Sequence, residues 1–145
     1  MQCYEKVIAF KRKFPGSLTW RLKKHCKVIE KHLNPNEELL YAFAGQLNDN
    51  PLNFFDTGVV AITSERLIVA QNFIWPGYKF ISVTPDMYND FAVRSGIIWG
   101  TIEIDTIKEH VCVSNLAKNC IPEVETIVTT FMQEMKKKYP PRDDE

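Results

Sequence analysis

Residues 58–70 carry the clearest pattern of apolar and polar positions in the chain. Two apolar, mostly β-branched runs, residues 59–62 and 67–70, contain none of the Gly, Pro or Asp that interrupt strands. Between them, Thr63, Ser64 and Glu65 are residue types that close a tight polar turn. The pattern therefore predicts a β-hairpin.

Short apolar or alternating runs continue over most of the chain and predict seven strands. They are residues 39–46, 58–63, 66–71, 78–84, 91–94, 97–104 and 109–116. Short connections between them predict antiparallel pairing. The last two strands alternate most regularly, so one set of side chains is expected to point inward and another outward. The inward set is Ile102, Ile104, Val111 and Val113, and the outward set is Glu103, Asp105, His110, Cys112 and Ser114.

Two segments have helical spacing instead. The first is predicted to begin with Ser17 as N-cap and to end near Leu33, before Asn34 and Pro35. Its apolar stripe is Leu18, Leu22, Cys26, Ile29 and Leu33, and its basic face is Arg21, Lys24, Lys27 and Lys31.

The second helix is predicted to begin near Asn119, with Pro122 in its first turn. Its apolar face needs a large apolar surface to cover, and the preceding sheet offers one. That face consists of Val124, Ile127, Val128, Phe131, Met132 and Met135.

The charge is balanced overall but unevenly distributed. The chain has 145 residues, 45% of them hydrophobic, which is enough for the core of one domain. Its net charge of zero conceals nine basic and two acidic residues in positions 1–33, against nine basic and sixteen acidic residues in the remainder. This asymmetry favours packing of the N-terminal element against the rest of its own protein or against a neighbouring copy, so self-association and an outside anionic partner are both open.

The sequence gives no sign of a secretory signal or of an apolar run near the roughly 20 residues of a membrane span, so a cytoplasmic location is expected. The four cysteines lack C-x-x-C spacing and form no zinc pattern with the three histidines, so they are expected to serve as small apolar residues, with no metal or cofactor. They are Cys3, Cys26, Cys112 and Cys120, beside His25, His32 and His110.

Two segments together resemble bacterial pleckstrin-homology-like (PH-like) domains. Residues 33–42 read LNPNEELLYA and fit the pattern L-x-x-x-E-x-L-L. Residues 58–68 read GVVAITSERLI and fit G-x-x-x-x-T-x-x-R-L. The resemblance extends over about residues 33–138 and leaves the first 32 residues unassigned. Many such bacterial domains have no known biochemical function, so it implies binding or assembly before catalysis.

The resemblance implies an α+β fold: a PH-like seven-stranded antiparallel sandwich or barrel, with a basic helix before it and a capping helix after it. The expected organisation is an N-terminal helical segment at residues 1–33, packed on or extending the domain. The PH-like domain then occupies residues 34–139, and a disordered tail occupies residues 140–145.

The loop between the first two strands differs from that of phosphoinositide-binding PH domains, which hold inositol phosphates with several basic residues there. In this chain residues 47–57 contain two aspartates and no basic residue. Phosphoinositide binding at this loop is therefore not expected.

Large apolar residues in two loops are the leading candidates for contact with a partner. Phe73, Ile74 and Trp75 occupy a strand connection that is ordinarily polar, and Phe54 and Phe55 join them as a second group. These residues either cover an open end of the barrel or form a contact patch for another subunit, a partner or a hydrophobic ligand. The basic face of the first helix, Arg21, Lys24, Lys27 and Lys31, is expected to add an electrostatic contact.

Three alternatives use other chemistry. In the first, the chain is a peripheral membrane protein that binds an anionic membrane through its basic helix. In the second, Cys112 and His110, two apart on one strand, form the dyad of a thiol esterase. The third is nucleic acid, and the sequence shows no aromatic RNA-binding motif and no sign of specific recognition. Motifs of other common enzyme classes are missing, so the expected function is non-catalytic protein binding or self-assembly.

Overall fold

The computed structural model of the chain describes residues 2–16, 19–48, 56–73, 77–95, 99–107 and 109–138. These residues form three α-helices, seven strands and two short 3-10 turns. The helices are α1 (Gln2–Lys13), α2 (Leu22–His32) and α3 (Ile121–Lys138). The strands are β1 (Leu39–Gln46), β2 (Thr57–Thr63), β3 (Leu67–Asn72), β4 (Tyr78–Val83), β5 (Tyr88–Ser95), β6 (Trp99–Thr106) and β7 (His110–Ala117).

All strand pairs are antiparallel, and the sheet order is β4-β3-β2-β1-β7-β6-β5. The sheet curls into a half-barrel with helices from both ends of the chain packed on it, so the predicted fold class is confirmed. The hairpin at residues 58–70 is β2 and β3, paired from Val59 opposite Ala70 to Ile62 opposite Leu67. Strand ends differ from the predictions by up to three residues.

The main hydrophobic core lies between the inner face of the sheet and α3. Phe43, Ile62, Ile102 and Leu116 are almost completely buried there, as is Met132 of α3. Inward-pointing Ile102, Ile104, Val111 and Val113 are confirmed as buried. Ser114, expected in the outward-pointing set, is nevertheless only 5% exposed, because its hydroxyl donates to the carbonyl of Asn48, which covers it.

A second core lies on the opposite face of the sheet, under α1 and α2. Leu22, Cys26 and Ile29 of α2 pack there with Cys3 and Val7 of α1. The strand residues beneath them are mostly small: Ala42, Ala44, Val59, Ala61, Ile68 and Ala70. Small side chains let a helix approach the strands closely. β2, most of β3 and β1 from Ala42 onward are therefore buried on both faces.

The N-terminal region differs from the sequence expectation in two respects. Residues 2–13 lie in the expected N-terminal helical segment but were assigned no helix of their own; they form α1, and its Phe10 packs 5.5 Å from Phe43 in the main core. The helix expected to start at Ser17 begins instead at Leu22, because Arg21 has the left-handed conformation, with φ 58°. Ser17 and Leu18 lie outside the described residues, as does the tail at residues 140–145.

A buried ion pair joins the two sequence segments that carry the family resemblance. The Glu37 side chain is completely buried, and that of Arg66 is 14% exposed. Arg66 Nε and Nη2 each donate to a different carboxylate oxygen of Glu37, both at 2.9 Å. The carboxylate also accepts from the Thr63 hydroxyl and, at 3.0 Å, from the backbone N–H of Asn34. Its hydrogen-bonding capacity is thus almost fully used.

The same guanidinium extends the network to a helix end and to another strand. Arg66 Nη2 donates to the carbonyl of His32, the last residue of α2, at 2.8 Å, and Nη1 donates to the Ser82 hydroxyl on β4 at 3.2 Å. Thr63 closes the hairpin turn by accepting from the backbone N–H groups of Glu65 and Arg66, each at 3.1 Å. The motif residues therefore fix α2 relative to β2, β3 and β4.

The pKa of Glu37 follows from two opposing effects. Burial alone raises the pKa of the carboxyl, but hydrogen bonds from Arg66, Thr63 and Asn34, with the charge of Arg66, lower it from 4.5 to about 2. A pKa lower in the folded than in the unfolded state stabilises the protein above the unfolded value, and this stabilisation is lost as the pH falls towards 2.

We expect the free energy of unfolding to fall by about 3 kcal/mol, through this group, as the pH decreases from 4.5 to about 2. Glu37→Gln removes this part of the pH dependence and destabilises the protein at neutral pH, because Arg66 loses its counter-ion. Urea denaturation across this pH range measures both effects. The exposed Glu125→Gln control keeps the wild-type profile. Identical pH profiles for Glu37→Gln and wild type would contradict the role given to the ion pair.

Candidate functional site

The basic face of α2 is exposed to solvent. Lys24, Lys27 and Lys31 recur at intervals of three and four residues, so they lie on one side of the helix. All three are exposed, whereas Cys26 and Ile29 on the opposite side are completely buried. Like charges at this spacing cost a few tenths of a kcal/mol per pair in an isolated helix.

Arg21, the fourth predicted member of this face, has a different position. It precedes the helix, and its Nη2 donates to Asn72 Oδ1 at 2.7 Å and to the carbonyl of Phe73 at 3.3 Å. Arg21 thus ties the start of α2 to the end of β3. Its left-handed backbone directs the chain into the helix from the side of the β3–β4 connection, which brings the lysines and that connection together.

His25 makes a second, buried tie between α2 and the sheet. It is 1% exposed, its Nδ1 accepts from the backbone N–H of Asn72 at 2.8 Å, and its Nε2 lies 3.3 Å from Thr57 Oγ1. Because Nδ1 accepts, the ring proton belongs on Nε2. Burial and the nearby charge of Arg21 lower the pKa of His25 from 6.5 to about 4, although the carbonyl of Trp20 acts in the opposite sense.

Three aromatic side chains are exposed around the lysines. Trp20 is 44%, Phe73 40% and Tyr78 54% exposed, although large apolar side chains are more often buried. Trp20 precedes Arg21, Phe73 follows Asn72, and Tyr78 begins β4, so all three lie beside the ties described above. We call Trp20, Lys24, Lys27, Lys31, Phe73 and Tyr78 the basic–aromatic surface.

A small hollow lies within this surface, between α2 and the start of β4. It has a volume of about 130 Å³ and is lined by Lys24, Lys27, Val28, Lys31, His32, Asn72 and Tyr78. The Tyr78 hydroxyl lies 3.3 Å from His32 Nε2, and the His32 ring stacks on Phe80 with a centroid distance of 4.3 Å. None of the described residues that line the hollow is acidic.

Most of the apolar loop residues predicted as contact sites cannot be compared with the structure. Ile74, Trp75, Phe54 and Phe55 lie outside the described residues, and Phe73 alone of this group is described. The sequence reasoning missed Tyr78 as a member of the contact surface. Tyr78 follows Gly77, whose φ is 88°, and an aromatic residue directly after such a turn was a usable signal.

A polar network holds the strand ends that flank residues 49–55. Asp56 accepts from the side-chain amides of Asn48 and Gln71, and Gln46 donates to Asn48 and accepts from Asn115. The two ends of this loop are joined by a hydrogen bond from the N–H of Leu47 to the carbonyl of Asp56, at 2.7 Å. A fixed carboxylate beside the loop disfavours an anion there, in line with the expectation against phosphoinositide binding.

The alternative dyad has a geometry that suits ion pairing. His110 is exposed on the outer face of β7, with Nε2 3.8 Å from Glu103 Oε1 and Nδ1 3.9 Å from Asp105 Oδ1. Each ring nitrogen therefore lies within 4 Å of a carboxylate oxygen. Cys112 is half-buried on the same strand.

The other three cysteines are completely buried, which confirms their prediction as small apolar residues. A hydrogen bond with Cys26, together with burial, raises the pKa of the Cys3 thiol, and burial raises that of Cys120 to about 12. No group of His, Cys, Asp and Glu side chains suited to a metal ion occurs in the described ranges. In the same part of the chain, no helix has the length and apolar character needed to cross a membrane.

Comparison with known proteins gives one match to a protein family. The family model described as bacterial PH domain matches residues 33–131. No curated protein matches the sequence.

The solved structures similar to the chain include two PH-domain proteins from Shewanella. The crystal structure of a pleckstrin homology domain from Shewanella amazonensis SB2B is 17% identical, with a TM-score of 0.49, and the match covers 78% of this chain and 89% of that one. The crystal structure of a DUF1696 family protein with a pleckstrin-homology domain from Shewanella loihica PV-4 is 13% identical, with a TM-score of 0.47, covering 80% and 93%.

The low pKa of His25 makes the stability of the protein depend on pH in a range above that of Glu37. Between pH 6.5 and about 4 the unfolded chain binds a proton that the folded chain does not, so the free energy of unfolding falls by about 3 kcal/mol on acidification. An NMR titration of the His25 ring is expected to give a midpoint near 4. His25→Asn, which keeps a hydrogen-bond acceptor near Asn72, should lose this part of the profile, whereas the exposed control His110→Asn should keep it. A His25 midpoint near 6.5 would contradict the buried, neutral ring.

Proposed function

The chain belongs to the bacterial PH domain family, and from this premise we propose that it is a non-catalytic interaction module that binds the acidic surface of a protein partner. The contact is made by the basic–aromatic surface. The observation that carries this proposal is the pair of ties made by Arg21 and His25, which hold the lysines of α2 beside the exposed rings of Phe73 and Tyr78.

Rigidity supports a binding role for this surface. α2 is fixed at its start by Arg21, along its length by buried His25, and at its end by the bond from Arg66 to the His32 carbonyl. A surface held in place before binding loses little backbone entropy when a partner docks. Exposed aromatic rings beside positive charges are typical of residues that dominate protein interfaces.

A protein partner fits this surface better than a membrane does. An interfacial helix uses its own apolar stripe to enter the lipid, but the stripe of α2, including Leu22 and Ile29, is buried against the sheet. Among the described residues of the basic–aromatic surface, three partly exposed rings remain for lipid contact. A folded acidic protein requires no such insertion, since it pairs carboxylates with the lysines and covers the rings.

A second copy of the chain is one protein that has an acidic surface. Outside the basic N-terminal region the chain carries a net charge of −7. Asp105 and Glu109 are exposed near the β6–β7 turn, where Ile107 is 66% exposed. Charge complementarity between unlike surfaces of two copies would give a head-to-tail contact.

We test the surface with fluorescently labelled poly-L-glutamate, measuring anisotropy at about 0.01 M and about 0.15 M salt. The variant Lys24→Gln/Lys27→Gln/Lys31→Gln is expected to weaken binding about tenfold or more at low salt, since three cations are lost. Phe73→Ser should weaken it about threefold, through lost ring burial. Sedimentation of the unlabelled chain shows whether a second copy is the partner, because self-association should then disappear in the triple variant.

Two controls match these changes in charge and in exposed apolar area. Lys136→Gln/Lys137→Gln/Lys138→Gln removes three exposed charges from the last turn of α3, and Ile107→Ser removes an exposed apolar side chain elsewhere. Both should bind within about twofold of wild type, as substitutions outside a contact surface do. Equal losses in the two triple variants would contradict the proposal, because binding would then depend on total charge alone. Binding to anionic vesicles without binding to poly-L-glutamate would also contradict it.

A further inference from the structure

The hollow between α2 and β4 presents several hydrogen-bond donors around one small space. Lys24, Lys27 and Lys31 each bring an ammonium group, which can donate three hydrogen bonds and accept none. Asn72 uses its side-chain oxygen to accept from Arg21, so its NH2 group is the part that can donate to a ligand. Tyr78 lines the same space, and its hydroxyl donates to His32 Nε2, because His32 Nδ1 is the ring nitrogen that donates to the Val28 carbonyl. Such a wall suits a ligand rich in acceptor oxygens.

The other lysines near the N-terminus are used differently. Lys11 donates to the carbonyl of Thr19 at 3.2 Å, Lys13 pairs with Glu123, and Lys23 lies 5.3 Å from the ring centroid of Tyr4. These contacts are with the protein itself. The three lysines of the hollow instead line an open space, and none of the described residues that line it with them is acidic. Their mutual repulsion is relieved when an anion binds.

The volume limits the size of that anion. About 130 Å³ is well below the 300–1,000 Å³ typical of sites for drug-sized ligands, so a whole nucleotide does not fit. A single phosphoryl group does, and it carries a charge near −2 with three acceptor oxygens. A carboxylate carries half that charge on two oxygens and leaves more of the donors unused.

We propose that this hollow binds a phosphoryl group carried on a side chain of the partner protein. The inference rests on the proposed function, since it specifies which chemical group of the partner the basic–aromatic surface grips. It adds a preference for phosphate over carboxylate, which an acidic surface alone does not require.

The sheet provides a path for the rest of such a partner. β4 is the outermost strand on its side of the sheet, and Tyr78, which lines the hollow, is its first residue. The outer edge of an outermost strand carries backbone N–H and C=O groups directed away from the sheet, and an extended peptide can pair with them. A peptide lying along β4 would carry a phosphorylated side chain past the lysines. A membrane offers no strand to pair with this edge.

The experiment is an NMR titration of the ¹⁵N-labelled chain with O-phosphoserine, and with aspartate and sulfate as comparison anions. Saturable shift changes are expected at Lys24, Lys27, Lys31, Asn72 and Tyr78, with an affinity for O-phosphoserine about tenfold above that for aspartate. Lys24→Gln/Lys27→Gln/Lys31→Gln should lose binding about tenfold or more. The Lys136→Gln/Lys137→Gln/Lys138→Gln control should stay within about twofold. Urea midpoints confirm that each variant is folded.

Three results would overturn the inference. Equal affinity for O-phosphoserine and aspartate would leave charge alone as the basis of binding. Shift changes at other lysines, without changes at the residues that line the hollow, would place the anion elsewhere. Binding to vesicles containing phosphatidate, without binding to O-phosphoserine, would assign the site to a lipid headgroup. A further outcome is that the Lys24→Gln/Lys27→Gln/Lys31→Gln variant loses its binding to poly-L-glutamate while wild type binds O-phosphoserine no more tightly than aspartate. In that case the proposed function stands and this inference falls. If wild type binds neither probe, both fall.

Discussion

The ion pair between Glu37 and Arg66 is the contact on which the arrangement of the N-terminal half depends. One guanidinium binds the carboxylate after α2, the last carbonyl of α2 and a hydroxyl on β4, while Thr63 joins it from the hairpin turn. Removing one partner of a buried pair leaves an uncompensated charge, which costs about 3–5 kcal/mol. The residues that carry the family resemblance therefore act as scaffold, and they set where α2 lies.

The position of α2 in turn creates the surface that we assign to binding. Small residues on the outer face of β1, β2 and β3 let the helix lie close to the sheet, so its apolar side is covered and its lysines face solvent. Arg21 and His25 then align the start of the helix with the end of β3. Scaffold and contact surface are thus built from neighbouring residues of the same segment, and a change in the scaffold would move the lysines relative to β4.

The sequence predicted the parts of the fold that depend on local pattern. The hairpin, the seven strands along the chain and α3 follow from apolar periodicity and turn residues, and the structure confirms them. Features set by tertiary contacts were not predictable in this way. Arg21 breaks the expected helix because its side chain bonds to residues about fifty positions away, and Ser114 is buried because Asn48 offers it a carbonyl. The lysines of the candidate surface were predicted from the sequence. Tyr78 was not, because its place beside them depends on the register in which β4 pairs with β3.

The central claim is that the scaffold presents one contact surface, formed by α2 and the ends of β3 and β4. Hydrogen–deuterium exchange of the chain with and without a saturating acidic polypeptide tests it most directly. The account predicts added protection in residues 20–31 and around residues 72–80, with little change in α3. Protection confined to the lysine-rich end of α3, or spread evenly over all lysine-containing segments, would contradict it.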